Sequence, residues 1–162
     1  MNTKEILANM TLQEKASFVS GSDFWHTDAV ERLGIDKIMM TDGPHGVRKV
    51  EYGPGDSNGT TVEAVCFPSG STLACSFDRE LMADVGRTLG RECIAEDVDM
   101  LLGPAVNIKR SPLCGRNFEY FSEDPYLAGE LGAAYVNGLQ STGTAASVKH
   151  FAVNNQETRR CT

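Results

Sequence analysis

No stretch of these 162 residues is apolar for long enough to cross a bilayer, so no membrane partner is expected. Positive charge is also scarce. Lys and Arg number 15 against 22 Asp and Glu, a formal net charge of −7 at pH 7, and the single dense basic run is Arg159-Arg160. A nucleic-acid partner is therefore not expected, because such proteins gather basic residues on one face. The five cysteines form no C-x-x-C pair and are odd in number, which excludes the usual zinc spacings and a closed disulfide framework and leaves reduced thiols. His26, His45 and His150 have neither H-x-x-x-H nor H-E-x-x-H spacing, so no metal is expected. No G-x-x-x-x-G-K-[ST] segment is present and no G-x-G-x-x-G opens a helix, so no nucleotide cofactor is expected. The N-terminal MNTKEILANMTLQEKAS lacks a basic region followed by an apolar core, which makes the cytoplasm the default location.

What remains is the make-up of an ordinary globular domain, 41% hydrophobic and 23% charged. Thr11-Leu12-Gln13-Glu14 is a capping-box pattern, and Leu12, Ala16 and Val19 follow at helical spacing, predicting a helix over 12–20. A short helix near 28–33 is expected next. Lys37 to Thr41 reads as a short buried strand, broken by the turn-forming Asp42-Gly43-Pro44-His45-Gly46. Residues 51–72, rich in Gly, Ser, Thr and Pro, read as a long loop. Asp78 can cap a helix whose apolar stripe is Leu81, Val85, Leu89 and Cys93, and Val98 to Leu102 gives a second strand. After an irregular stretch from Asn107 to Glu123, Asp124 and Pro125 start a helix with Leu127, Leu131, Tyr135 and Leu139 on one face. Ala146, Ser147 and Val148 make a third strand.

Strand, loop, helix, repeated, is the order of parallel β/α units, so the fold class is α/β. Asp42 follows strand one, the loop from Arg110 to Glu123 follows strand two, and Lys149-His150 closes strand three. Parallel sheets bind ligands at the carboxyl ends of their strands, whether they close into a barrel or stay open. Asp42, Arg48, Arg116, Lys149, His150 and Arg160 are then expected to converge on one pocket. A carboxylate facing several cations suits a polyhydroxylated ligand, because sugar hydroxyls both donate and accept. Phosphate is the minor alternative, since three arginines could serve it.

TDGPHGVR at 41–48, LLGPAVNIKRSPLCGRNFEYFSEDPYLAGELGAAYVNGLQ at 101–140 and SVKHFAVNNQETRR at 147–160 occur in this order. Together they resemble the N-terminal domain of family 3 glycoside hydrolases, and specifically its β-glucosidase group. The N-acetylglucosaminidase branch of that family continues its Lys-His with a Pro-Gly-His-Gly segment. Here Phe151-Ala152-Val153-Asn154 follows, which favours the glucosidase side.

The resemblance implies a partial (β/α)8 TIM-type barrel of about three parallel strands and a carbohydrate substrate, a β-glucoside or a close relative. It carries the sugar-holding role onto Asp42, Arg116, Lys149 and His150, with Arg48 and Arg160 lining the same pocket. It also implies a non-proline cis peptide at Lys149-His150. A retaining glycosidase needs two carboxyl groups roughly 5 Å apart, and the resemblance places both in later parts of the chain, so no catalytic residue is expected among these 162. Ser22-Asp23-Phe24-Trp25 imitates the family's SDW-type nucleophile motif but precedes the first strand, making Asp23 a decoy. Glu119, Glu123 and Asp124 read as loop ion pairs or helix-start residues. The expectation is therefore a truncated barrel, inactive by itself, with Val148 and Phe151 partly exposed for want of a covering helix. The alternative is a carbohydrate-binding or interaction module without catalysis.

Overall fold

The computed structural model describes residues 2–54 and 58–161. They divide into two compact units, Met1–Met40 and Thr41–Thr162. In the first, helices α1 (Thr3–Asn9) and α2 (Leu12–Phe18) each begin with a reciprocal capping box, Asn2 with Glu5 and Thr11 with Glu14. Two of the backbone donors that every helix start leaves orphaned are thereby satisfied. The expected helix at 28–33 is a 3-10 turn, Glu31–Leu33. Arg32 donates to the Glu14 carboxylate and to the Asn9 carbonyl, at 2.7 Å for the latter. The apolar stripe expected on α2 is not buried: Leu12 is 84% and Val19 83% exposed. Seven residues held by caps and one arginine form this helix without a packed face.

The second unit is built on the α/β pattern. Strands β1 (Met40–Thr41, of which Thr41 opens this unit), β4 (Met100–Leu101) and β5 (Ala145–Ala146) form one sheet in that order. β4 and β5 are parallel, with Met100 opposite Ala145 and Leu101 opposite Ala146. The pairing resumes farther on as a parallel bridge between Ala105 and Lys149. All three strands are shorter than their apolar runs suggest. Pro104 lacks an N–H donor, so the ladder of the second breaks there.

The expected loop at 51–72 holds more structure than its composition implies, although residues 55–57, including Gly55 of Gly53-Pro54-Gly55, lie outside the described residues. β2 (Val50–Glu51) pairs antiparallel with β3 (Thr60–Thr61), and Ser69 caps a short helix α3 (Gly70–Ala74). Helices α4 (Arg79–Ala95) and α5 (Pro125–Gln140) follow their predicted bounds closely. Asp78 accepts from Glu80 and Leu81 N–H, and Asp124 from Tyr126 and Leu127 N–H. The buried stripe of α4 runs through Met82, Val85, Leu89 and Cys93, whereas the expected Leu81 is 41% exposed. These residues meet Leu131, Tyr135 and Leu139 of α5 and Leu101 of β4 in the main core. Each fully buried aliphatic side chain there stabilises the fold by about 1.5–3 kcal/mol.

The two helices approach through glycines. A Cβ at Gly138 would sit 2.0 Å from the Ala83 carbonyl oxygen, and one at Gly86 would sit 2.3 Å from that of Tyr135. All five cysteines are free, and burial pushes the Cys93 thiol up to about 12, which leaves it unreactive. No helix among the described residues is long and apolar enough to cross a membrane.

Candidate functional site

Asp42 sits directly after β1 because the DGPHG segment turns the chain sharply there. Gly43 has φ 117°, and a Cβ on it would lie 1.9 Å from the Gly46 carbonyl oxygen, so only glycine fits. Arg48 N–H closes the turn onto the Asp42 carbonyl at 3.0 Å, and Thr41 Oγ1 donates to the Arg48 carbonyl at 2.6 Å. The segment after β5 brings the cation. Lys149 N–H donates to the Pro104 carbonyl at 3.0 Å and its own carbonyl accepts from Val106 at 2.8 Å, which fixes its backbone beside the segment that follows β4. The Lys149-His150 peptide is cis, as the sequence resemblance implies.

Lys149 Nζ donates to Asp42 Oδ1 at 2.7 Å and lies 3.5 Å from Glu119 Oε2. Glu119 is 4% exposed and is also paired with Arg116 Nε. Arg116 Nη1 reaches Glu157 at 3.6 Å, and Arg160 Nη1 meets the same carboxylate at 2.9 Å. Three carboxylates and three cations thus alternate through one network. The loop that carries Arg116 and Glu119 is pinned from below: Lys109 Nζ donates to Ser71 Oγ at 2.6 Å, and Ser71 Oγ donates to the Asn117 carbonyl at 3.0 Å.

Burial by itself would raise the Asp42 carboxyl, but the Lys149 hydrogen bond and charge, with the Gly43 N–H and Arg116, outweigh it and hold the group below the usual carboxylate range. His150 is pushed below the ordinary imidazole value by burial first, then by Arg116 and Lys149, with Glu119 opposing. The arrangement offers an ionised acceptor, a neutral imidazole and anchored cations, a donor and acceptor set suited to adjacent hydroxyls. A cavity of about 330 Å³ lined by Asn107, Arg110, Val148, Lys149, His150 and Val153 borders the network. A larger groove of about 460 Å³, lined by Pro104, Val106, Ala128, Gly132, Val136 and Val148, is apolar and carries no ionisable group.

Of the six residues singled out from the sequence, Asp42, Arg116 and Lys149 share the charged network directly. His150 lies beside it through Tyr120, and Arg160 joins through Glu157. Arg48 is joined by its backbone alone; its side chain is exposed and makes no ion pair among the described residues. Glu119 is the expected loop ion pair, and Asp124 the expected helix cap. In the first unit, Asp23 accepts from Trp25 N–H at 2.8 Å and His26 N–H at 2.9 Å and pairs with His26 Nδ1, closing a loop. Sequence reasoning missed Tyr120 and Asn107 as site residues. A lone buried aromatic with a polar tip, and an asparagine at a strand end, carry no spacing signal that separates them from core and turn residues.

The sheet thus carries an acid, two basic groups and an imidazole beyond the carboxyl ends of its strands, the edge at which parallel α/β sheets bind ligands. Sequence profiles define the class further: the glycosyl hydrolase family 3 N terminal domain matches residues 12–159, and the chain belongs to that family. It is 62% identical over its whole length to thermostable beta-glucosidase B of Acetivibrio thermocellus, covering 22% of that protein. It is 50% identical over 98% of its length to the exo-alpha-(1->6)-L-arabinopyranosidase of Bifidobacterium longum, covering 21% of that enzyme. Among solved structures, the beta-glucosidase of Kluyveromyces marxianus in complex with glucose superposes with a TM-score of 0.87 at 42% identity, over 96% of this chain and 18% of that one. The chain thus spans about a fifth of the length of these relatives.

Proposed function

We propose that these residues form the sugar-holding part of a retaining glycosidase of the β-glucosidase type, acting on terminal, non-reducing β-linked sugars. In this reading the 162 residues are the first three β/α units of a (β/α)8 barrel domain. Asp42 accepts from sugar hydroxyls, and Lys149, Arg116 and His150 supply the complementary bonds, with Arg160 and Arg48 at the margin. The observation that carries the reading is the 2.7 Å pair between Lys149 and Asp42, which sets an ionised acceptor and its counter-charge at the carboxyl edge of a parallel sheet. The relatives reported above are named as enzymes, which gives the non-catalytic module no support.

The nucleophile and the acid/base are assigned to segments outside these residues. Asp42 and Glu119 both touch the Lys149 ammonium, so the space between those carboxylates is filled by a cation and has no room for an anomeric carbon. Accordingly the 162 residues alone are expected to turn over no glycoside. A polypeptide completed with the remaining parts of a family 3 enzyme should hydrolyse nitrophenyl β-glucoside. The test panel includes α-L-arabinopyranoside because of the Bifidobacterium relative, and failure on every glycoside in it overturns the reading. In the completed enzyme Asp42→Ala should lower kcat/KM by about 30-fold or more, the effect of losing charge-assisted hydrogen bonds worth about 2–4 kcal/mol.

A further inference from the structure

Tyr120 is completely buried, yet its hydroxyl stands in a hydrogen-bonded chain that ends on the imidazole of His150. Glu157 Oε1 accepts from Asn154 Nδ2 at 2.7 Å, and the same nitrogen donates to Tyr120 Oη at 2.9 Å. Tyr120 Oη lies 3.0 Å from His150 Nδ1. The direction of every bond follows from one end. An ionised carboxylate only accepts, so Asn154 must present its NH₂ group and not its carbonyl oxygen to this corner. The phenol oxygen then accepts from Asn154, and Nδ1 is the acceptor that its single proton finds among the described residues. An imidazole whose Nδ1 accepts carries its proton on Nε2 when neutral.

We propose that Glu157, Asn154 and Tyr120 are positioning residues that lock His150 as the Nε2–H tautomer, so that the ring acts on a ligand as a donor only. The chain is held at each link. Asn154 N–H donates to Asn107 Oδ1 at 2.8 Å, and Asn107 Nδ2 donates back to the Asn154 carbonyl at 2.9 Å, which fixes the backbone of Asn154 while Glu157 sets the orientation of its amide. Glu157 is anchored by Arg160 at 2.9 Å and by Arg116 at 3.6 Å. Burial pushes the Tyr120 phenol up, so it keeps its proton, while His150 is kept neutral. Nε2 of His150 has no hydrogen-bond partner among the described residues and is left for a ligand. On the functional reading given above, an obligate acceptor at Asp42 and an obligate donor at His150 would divide the two roles of sugar hydroxyls between fixed groups.

The test reads protons in the absence of sugar, so its failure is distinct from failure of the sugar-binding assignment. Magic-angle-spinning NMR of the chain labelled with ¹⁵N-histidine, at a pH above the imidazole range, separates the two ring nitrogens and tolerates self-association. His150→Gln assigns the signals. The expected result is a protonated Nε2 and an unprotonated, hydrogen-bonded Nδ1 for His150, with no minor tautomer. In Tyr120→Phe the Nδ1 signal should move to the position of a nitrogen without a donor, and the second tautomer should appear. Glu157→Gln, which lets the amide turn over, should give the same mixture and serves if Tyr120→Phe does not fold. In the completed enzyme either change should raise KM about tenfold or less, as expected for one misdirected hydrogen bond. A protonated Nδ1, a tautomer mixture in the unsubstituted chain, or variants with unchanged nitrogen signals would overturn the proposal.

Discussion

Helices α4 and α5 and the loops at the carboxyl ends of the strands lie in the same unit, but they are held by opposite means. The helix pair meets through aliphatic side chains and through glycines that bring the two backbones into contact, with Leu89, Leu131 and Leu139 fully buried and the ion pair between the helices, Arg79 with Glu130, kept out at the solvent-exposed rim. The loops are held by ion pairs and amide hydrogen bonds: Glu119 between Arg116 and Lys149, Glu157 between Arg160 and Asn154. Close packing is non-directional and rewards filled volume, whereas the polar network is directional and fixes the orientation of individual groups. A substitution at the helix interface should therefore act through the volume that it adds or removes, and one in the loops through the charge and hydrogen bonds of the group that is lost.

Gly138→Leu is the sharpest break. Its Cβ alone would stand 2.0 Å from the Ala83 carbonyl oxygen, a backbone atom that cannot yield unless the helices separate. The expected loss is about 3 kcal/mol or more, the upper range for overpacking. Chemical denaturation measures it, and an unchanged midpoint would mean that the helices are not in contact there.

Glu119→Ala carries the comparison into the loops. The carboxylate is buried between two cations, and its removal leaves Arg116 and Lys149 facing each other with their shared counter-charge gone. Breaking a buried pair costs about 3 kcal/mol. The loss should be smaller here because Glu157 and Asp42 remain to take up the two cations. Glu119→Gln should recover part of it, since the amide still offers an oxygen to Arg116. Equal destabilisation by Ala and Gln would show that shape alone matters at this position, and the contrast with the helix pair would disappear.

The same division explains what could be read from the sequence. Asp78 and Asp124 announced α4 and α5, because a cap followed by a periodic apolar stripe is a local signal. The strand ends were placed by the turn residues after them, and Val148 and Phe151 are exposed as foreseen, at 51% and 100%. The first unit was less legible. α1 has no apolar face to signal it, and the periodic residues of α2 remain exposed. The β2–β3 hairpin is hidden in a polar, glycine-rich stretch, its two-residue strands too short for alternation to register. In the site, Asp42, Arg116, Lys149 and His150 were found because each follows a strand end that turn residues mark and lies in a segment that resembles the family. The Tyr120, Asn154 and Glu157 chain was not, because it joins groups 34 positions apart whose roles depend on which atom faces which.

The smallest expected effect is on pH dependence, and it separates the loops, which carry two histidines, from the helix pair, which carries none. His45 and His150 are both lowered. For His45 the cause is burial first, with Lys149 acting in the same direction and Glu119 opposing. For His150 it is burial, then Arg116, Lys149 and Arg160, again opposed by Glu119. In the unfolded chain both rings titrate near an ordinary value of about 6.5. Between that value and the lower folded one, the unfolded state binds more protons, so stability rises with pH. The contribution is complete above about 6.5 and is lost as pH falls through the folded values. Asp42 and Glu157, whose carboxyls are also lowered, act in the same sense but only below about 4.3, the ordinary carboxylate range. The denaturation midpoint should therefore fall between about pH 7.5 and pH 5.5, the span in which histidines titrate. His45→Gln and His150→Gln should each flatten that slope, because each removes one of the two groups that take up a proton on unfolding. A slope that survives both substitutions would place the titrating groups elsewhere and remove this distinction between the loops and the helix pair.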